Sequence, residues 1–193
     1  MNELPSSALK SPESLRDFCL KELETAGNNP AHLWRLASMA LVDTEGMPTA
    51  MKIVLRDYHK GNLSIFTDYR SAKIQSLGQK PKVSLCFYNP QLGLQLSALC
   101  SVSIHNQDLI CQAYWQKLNE SSRSCYASKP NPGSVLEQPF SFITYDSCEI
   151  PYDNFAVLKC AILSFDILVL NSSGNIRLKG DFSTPSSISW TAP

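Results

Sequence analysis

The chain has 193 residues, 44% of them hydrophobic, and its seventeen basic side chains are balanced by seventeen acidic ones. That length suits one domain with a real interior, the composition is that of a globular chain, and zero net charge lacks the basic footprint a nucleic-acid partner asks for. No apolar run approaches the roughly 20 residues needed to span a bilayer, and Met1 to Lys10 lacks the charged start and apolar stretch of a secretory signal.

The seven cysteines are Cys19, Cys86, Cys100, Cys111, Cys125, Cys148 and Cys160. The number is odd, no pair has C-x-x-C spacing, and most sit inside apolar runs where a thiol behaves as a small hydrophobe. The expectation is a cytoplasmic protein with reduced cysteines, no metal site, no membrane and no nucleic acid.

Residues 1–10 read as a loose, flexible tail, with one domain over 11–193. Ser11-Pro12-Glu13 has the marks of a helix start: a Ser cap, Pro in the first turn and an acid beside it. Leu15, Phe18, Cys19, Leu23 and Ala26 follow at helical spacing until Gly27-Asn28-Asn29-Pro30 stops them. Leu36 to Val42, Thr49 to Arg56 and Leu63 to Thr67 are extended runs separated by the turns Asp43–Gly46 and His59–Asn62. Connections this short make an antiparallel meander, since parallel strands need long crossovers. A short helix, Ser71 to Leu77 closed by Gly78, leads to strands Lys82 to Tyr88 and Leu94 to His105. Asn106 then caps a helix with Leu109, Ile110, Ala113, Tyr114 and Leu118 on one face. Residues 121–154 carry no strong pattern, and a segment of that length is usually functional or mobile. Ala156 to Leu170 and Ile176 to Phe182 are the last two strands. Antiparallel strands with inserted helices predict a mainly β Greek-key barrel with flanking helices.

Three stretches carry candidate chemistry. At Phe66-Thr67-Asp68-Tyr69-Arg70-Ser71-Ala72-Lys73 a strand ends, a turn follows, and a helix opens with a hydroxyl and an ammonium. The unpaired N–H groups of a helix start, with Ser71 and Lys73 added, would cradle a phosphate. Taken alone, the segment reads first as an ordinary capped helix with a solvated lysine. In Thr49 to Arg56, alternation puts Lys52 and Arg56 on one face with Val54 between them, and both cations need anions or solvent. In Leu94-Gln95-Leu96-Ser97 the Gln95 amide offers a donor and an acceptor to a heterocycle edge, or faces water. There is no G-x-G-x-x-G, no phosphate-binding G-x-x-x-x-G-K-[ST] and no G-x-S-x-G elbow. Phe87-Tyr88 and Tyr114-Trp115 read as core.

In order and spacing these stretches resemble the pyridoxamine 5'-phosphate oxidase family, with the cyanobacterial-type FMN-binding branch nearest. The resemblance rests on Pro48 to Arg56, on Phe66 to Lys73, on Gln95 after Phe87-Tyr88-Asn89-Pro90, and on Trp115-Gln116-Lys117-Leu118 with Arg123 and Pro130-Asn131-Pro132-Gly133. The ending, Arg177 to Pro193 with Trp190, is similar as well. It implies a six-stranded antiparallel split barrel and a homodimer with FMN between the subunits. Ser71 and Lys73 would hold the FMN phosphate, and Lys52, Ile53, Val54, Phe66 and Thr67 would line the cofactor. Gln95 would contact the ring, Arg56 would meet the substrate, and Arg177 would arrive from the partner.

The departures limit the activity implied. Met51 stands where the family has a phosphate-binding arginine, Ala72 replaces a basic residue beside the helix lysine, and Leu118 replaces a substrate-phosphate arginine. Each lost charge-assisted bond is worth about 1.5–3 kcal/mol, so affinity for FMN could fall by orders of magnitude. These changes argue against pyridoxamine 5'-phosphate oxidase activity itself. They leave an FMN-dependent oxidoreductase of unknown substrate, with no side chain named as catalytic. The alternative is a dimeric binding module with weakened or lost FMN binding, or with haem or a deazaflavin in the same cleft.

Overall fold

The computed structural model describes residues 4–138 and 150–193. Eight strands form one sheet: β1 (Leu36–Val42), β2 (Pro48–His59), β3 (Asn62–Asp68), β4 (Lys82–Asn89), β5 (Leu94–His105), β6 (Phe155–Val169), β7 (Ile176–Asp181) and β8 (Ser189–Thr191). Their order is β3-β2-β1-β4-β5-β6-β7-β8, every pairing is antiparallel, and β3 also pairs with β6. That last pairing closes β3-β2-β1-β4-β5-β6 into a six-stranded barrel, as expected, and leaves β7 and β8 as an extension. β8 is a short strand that the sequence did not suggest.

Closure is carried by β6, which is fifteen residues long. One edge pairs with β5 over nearly its whole length. The other edge is divided, with Phe155–Ala161 on β3 and Ser164–Val169 on β7. Its first four residues, Phe155 to Leu158, are fully buried because the wall is covered on both sides there. Leu158 and Cys160 point into the barrel, while Phe155 and Val157 join a second cluster with Cys111 and Tyr126. This is why the segment lacks the alternation of a half-exposed strand.

The helices are α1 (Pro12–Asn28), α2 (Ala72–Gln79), α3 (Leu109–Lys117) and α4 (Glu120–Arg123). The Ser11 hydroxyl accepts from the Ser14 amide at 3.2 Å, and α1 buries Leu15, Cys19, Leu23 and Ala26 completely. Close approach of α1 to β2 needs Gly27, whose Cβ would sit 3.0 Å from the Tyr58 nitrogen. The β2–β3 turn places Lys60 at φ 46° and Gly61 at φ 80°, the left-handed pair that a two-residue hairpin requires.

Local expectations differ at four places. α2 runs on through Gly78 to Gln79. Asp108, not Asn106, caps α3, accepting from the Cys111 amide at 2.9 Å; the Asn106 amide donates instead to the Asp153 and Phe155 carbonyls. Ser6–Leu9, read as part of a loose tail, make a 3-10 turn with Ala8 buried. Within 121–154, a 3-10 turn at Ser124–Tyr126 buries Tyr126, while residues 139–149 and Cys148 lie outside the described residues, as does the start of the tail. The six described cysteines are free. No helix among the described residues is long and apolar enough to cross a membrane.

Leu158 pairs with Ile65 on one side and Ile104 on the other. Leu158→Ala should therefore destabilise the protein by about 2–5 kcal/mol, the cost of a core cavity, read from urea unfolding. A change under about 1 kcal/mol would mean that this junction does not hold the barrel shut.

Candidate functional site

β2 and β3 are barrel neighbours, and three residues separate the end of β3 from the start of α2. Between them lies a cavity of about 340 Å³ lined by Lys52, Ile53, Val54, Arg56, Phe66, Thr67 and Lys73, with Met51, Leu36 and Ile65. Seven of the ten residues singled out in the sequence thus meet at one opening. An eighth, Ser71, is buried at its edge.

The floor of the opening is a cationic corner. The Lys73 ammonium, in the first turn of α2, donates to the Thr67 hydroxyl at 3.0 Å and the Ser71 hydroxyl at 3.2 Å. Ser71 makes no side-chain cap to its own helix, so its hydroxyl is turned toward the lysine. The nearby carboxylate of Asp68 is spent on Arg70, which grips it at 3.0 and 2.7 Å. Lys73 therefore has no ion-pair partner among the described residues. Burial pulls its pKa below the ordinary lysine range, with the Asp68 charge acting the other way. On the rim the Lys52 ammonium donates to the Ser38 hydroxyl at 3.0 Å.

Gln95 and Arg177 lie elsewhere. Gln95 on β5 is opposite Leu168 on β6, and Leu168 is opposite Arg177 on β7, so the two share one row of the sheet's outer face. Arg177 makes a two-pronged pair with Asp166 at 2.9 and 2.7 Å, and Gln95 donates to Ser97 at 3.4 Å. Tyr88, read as core, is 45% exposed on that face opposite Gln95.

A second cavity, of about 780 Å³, adjoins the first and shares Arg56 and Phe66 with it. A bulge between Leu55 and Asp57 breaks the alternation of β2, and the consecutive residues Arg56 and Asp57 both line this space. Here the Tyr114 hydroxyl donates to Asp57 at 2.7 Å and accepts from the Lys159 ammonium at 3.0 Å. Lys159 also donates to the Ser64 hydroxyl at 2.8 Å. The Phe66 ring fixes α3 against the barrel, 5.1 Å from both Tyr114 and Phe155. Among the described residues no group of three His, Cys, Asp or Glu side chains could hold a metal.

Residues 16–104 match the family described as pyridoxamine 5'-phosphate oxidase, FMN-binding domain. The chain is 22% identical over 121 residues to a pyridoxine/pyridoxamine 5'-phosphate oxidase of Psychrobacter cryohalolentis, covering 63% of this chain and 56% of that one. It spans about half the length of the curated relatives it matches. A solved pyridoxamine 5'-phosphate oxidase-related, FMN-binding protein from Nostoc punctiforme superposes with a TM-score of 0.72 at 23% identity, over 92% of this chain and 97% of that one. PhzG from Burkholderia lata, solved with tetrahydrophenazine-1-carboxylic acid, superposes with a TM-score of 0.73 at 12% identity, over 98% of both chains. At these identities the two structures attest the fold. Over residues 16–104 the chain is similar to the FMN-binding domain of the pyridoxamine 5'-phosphate oxidase family.

The departures from that family's pattern fall at residues the structure now locates. Met51 lines the first cavity, Ala72 is exposed next to Lys73, and Leu118 lines the second cavity. Sequence reasoning missed Asp57, Lys159 and the role of Tyr114. A signal existed for Lys159, a lone cation in the apolar run Ala156 to Leu163. Asp57 gave none, because only the bulge turns it into the cavity.

Tyr114→Phe should cost about 1–3 kcal/mol, since it strips a partner from the Asp57 carboxylate and the Lys159 ammonium together. Thermal or urea unfolding checks this, and an unchanged midpoint would show that the two charges compensate each other without the phenol.

Proposed function

We propose that the protein is an FMN-dependent oxidoreductase acting on a small molecule, with FMN held in the first cavity. The observation that carries this reading is Lys73, a half-buried ammonium with two hydroxyls beside it and no carboxylate of its own. An ammonium so placed calls for an anion, and a terminal phosphate fits the donor set of Lys73, Ser71, Thr67 and the start of α2. Ile53, Val54 and Phe66 offer an apolar wall for a flat ring, with Lys52 and Arg56 at its rim. When bound, the flavin supplies the two-electron chemistry, while these residues bind it, orient it and keep water from one side.

Gln95 and Arg177 enter the proposal through a second copy of the chain. The outer sheet face that carries them also exposes Leu36 (60%), Tyr88 and Leu99 (43%), an apolar surface that a partner would cover. The proposal is therefore a homodimer in which Gln95 and Arg177 complete the flavin site. Light scattering should give twice the chain mass of 21.4 kDa, and a monomer at all accessible concentrations would remove both residues from the site. Free thiols at the described cysteines suit a cytoplasmic protein.

FMN titrated into the protein should lose fluorescence on binding. Lys73→Ala should weaken that binding by about ten- to a hundredfold, the worth of one charge-assisted bond. The charged lysine is the form that holds phosphate. Affinity should therefore be full at neutral pH and fall as pH rises through the lowered pKa of Lys73, earlier than an ordinary lysine would allow. Lys73→Arg, which stays charged, should remove that fall. Wild-type and Lys73→Ala proteins with equal FMN affinity would place the phosphate elsewhere.

A further inference from the structure

We propose that the second cavity binds a planar aromatic carboxylate, in preference to a phosphate ester. Its place beside the flavin cavity makes that carboxylate the substrate of the proposed oxidoreductase; this last step alone rests on the flavin reading.

The argument is an accounting of charges. Four cations line the cavity, Arg35, Arg56, Lys117 and Lys159, against one carboxylate, Asp57. Two of the four are already engaged. Arg35 donates to the Ala26 and Gly27 carbonyls at the end of α1, where a cation offsets the partial negative charge of a helix C-terminus. Lys159 is held by Ser64 and Tyr114, and Asp57 answers it through the same phenol. Arg56 and Lys117 remain, and neither side chain has a hydrogen bond or ion pair among the described residues.

Arg56 is the better placed of the two. Its guanidinium lies 5.5 Å above the Phe66 ring, which orients the plane of the fork without occupying its N–H groups. A fork of that shape matches the two oxygens of a carboxylate. The walls beside it are apolar: Phe66, Ile110, Ala113 and Leu118. A cavity of about 780 Å³ is of the size that takes a small ligand.

A phosphate dianion would find less. It needs several converging donors, and apart from Arg56 and the solvent-exposed Lys117 the nearby candidates are spent or missing. The Tyr114 hydroxyl already has Asp57, Lys159 and Ser64 as partners. The start of α3 is closed by its own cap, Asp108. Leu118 presents a hydrocarbon surface. The remaining combination is one planar fork beside an apolar wall, with Lys117, exposed to water, as the other unengaged cation.

The experiment is calorimetry on the full chain, with and without saturating FMN, using 2-naphthoate, 2-naphthamide and 2-naphthyl phosphate as probes. Naphthoate should bind at least about tenfold tighter than the uncharged amide, and the phosphate no tighter than naphthoate. Arg56→Gln should bring naphthoate down to the level of the amide. Because Arg56 also borders the first cavity, Ala113→Trp supplies a second arm: it fills the second cavity from exposed α3 and should abolish naphthoate binding while FMN affinity stays within about twofold. The proposal is overturned if naphthoate does not bind, if either substitution leaves its affinity unchanged, or if the naphthyl phosphate binds tenfold tighter. Flavin quenching in the same samples separates the two readings. FMN binding without naphthoate binding removes the carboxylate pocket alone, and naphthoate binding without FMN supports the pocket and removes the flavin.

Discussion

Strand β6 has to satisfy hydrogen bonds along both edges, and the rest of the molecule is arranged around that requirement. A strand left unpaired on one side exposes a row of N–H and C=O groups, and burying them without partners is costly. β6 meets the demand by dividing its free edge between β3 and β7. The half on β3 closes the barrel, and the half on β7 carries the sheet outward. Barrel closure also fixes where β3 ends, and so where α2 begins. The position of the Lys73 corner is thus set by a hydrogen-bond ladder that reaches it through Thr67.

The two cavities are separated by few atoms. Arg56 and Phe66 line both, and they come from neighbouring strands at the point where the β2–β3 register slips by one residue. In a regular ladder Arg56 and Asp57 would face opposite ways. The extra residue puts both on the side of α3, where Asp57 anchors Tyr114 and Arg56 stays free. A ring held against Phe66 in one cavity and a ligand held by Arg56 in the other would be neighbours. That juxtaposition is what a flavin reaction needs, because the transferring atoms must approach to within about 3–3.5 Å.

Much of this was legible in the sequence. The helix–strand order follows from hydrophobic periodicity and from Gly, Pro and Asn at the turns, and seven of the strands appear that way. β8 does not, since three residues, Ser189–Thr191, are too short to show a period. Lys73 and Ser71 could be found because a helix start states its chemistry locally. The second cavity could not. Asp57, Tyr114 and Lys159 come from three separate elements, and residues 57 and 159 are brought together only by barrel closure. The bulge left no mark on the residues that make it. Tyr88 reads as apolar in a strand pattern, yet its parity places it outside the barrel, next to Gln95.

Net charge misleads for a related reason. A chain with seventeen charges of each sign gives no hint of a preferred partner. Yet Lys52, Arg56 and Lys73 border one cavity, and Arg35, Arg56, Lys117 and Lys159 the next. The carboxylates that adjoin them, Asp57 and Asp68, are each held by a hydrogen bond of 2.7 Å to a group of the protein. Clefts with low-dielectric walls concentrate such a field, so the local potential is decided by which charges are already engaged and not by their total. Here both adjoining carboxylates are engaged, while Arg56 and Lys117 are not. A neutral protein can in this way present two adjoining cavities that are each bordered by more cations than carboxylates.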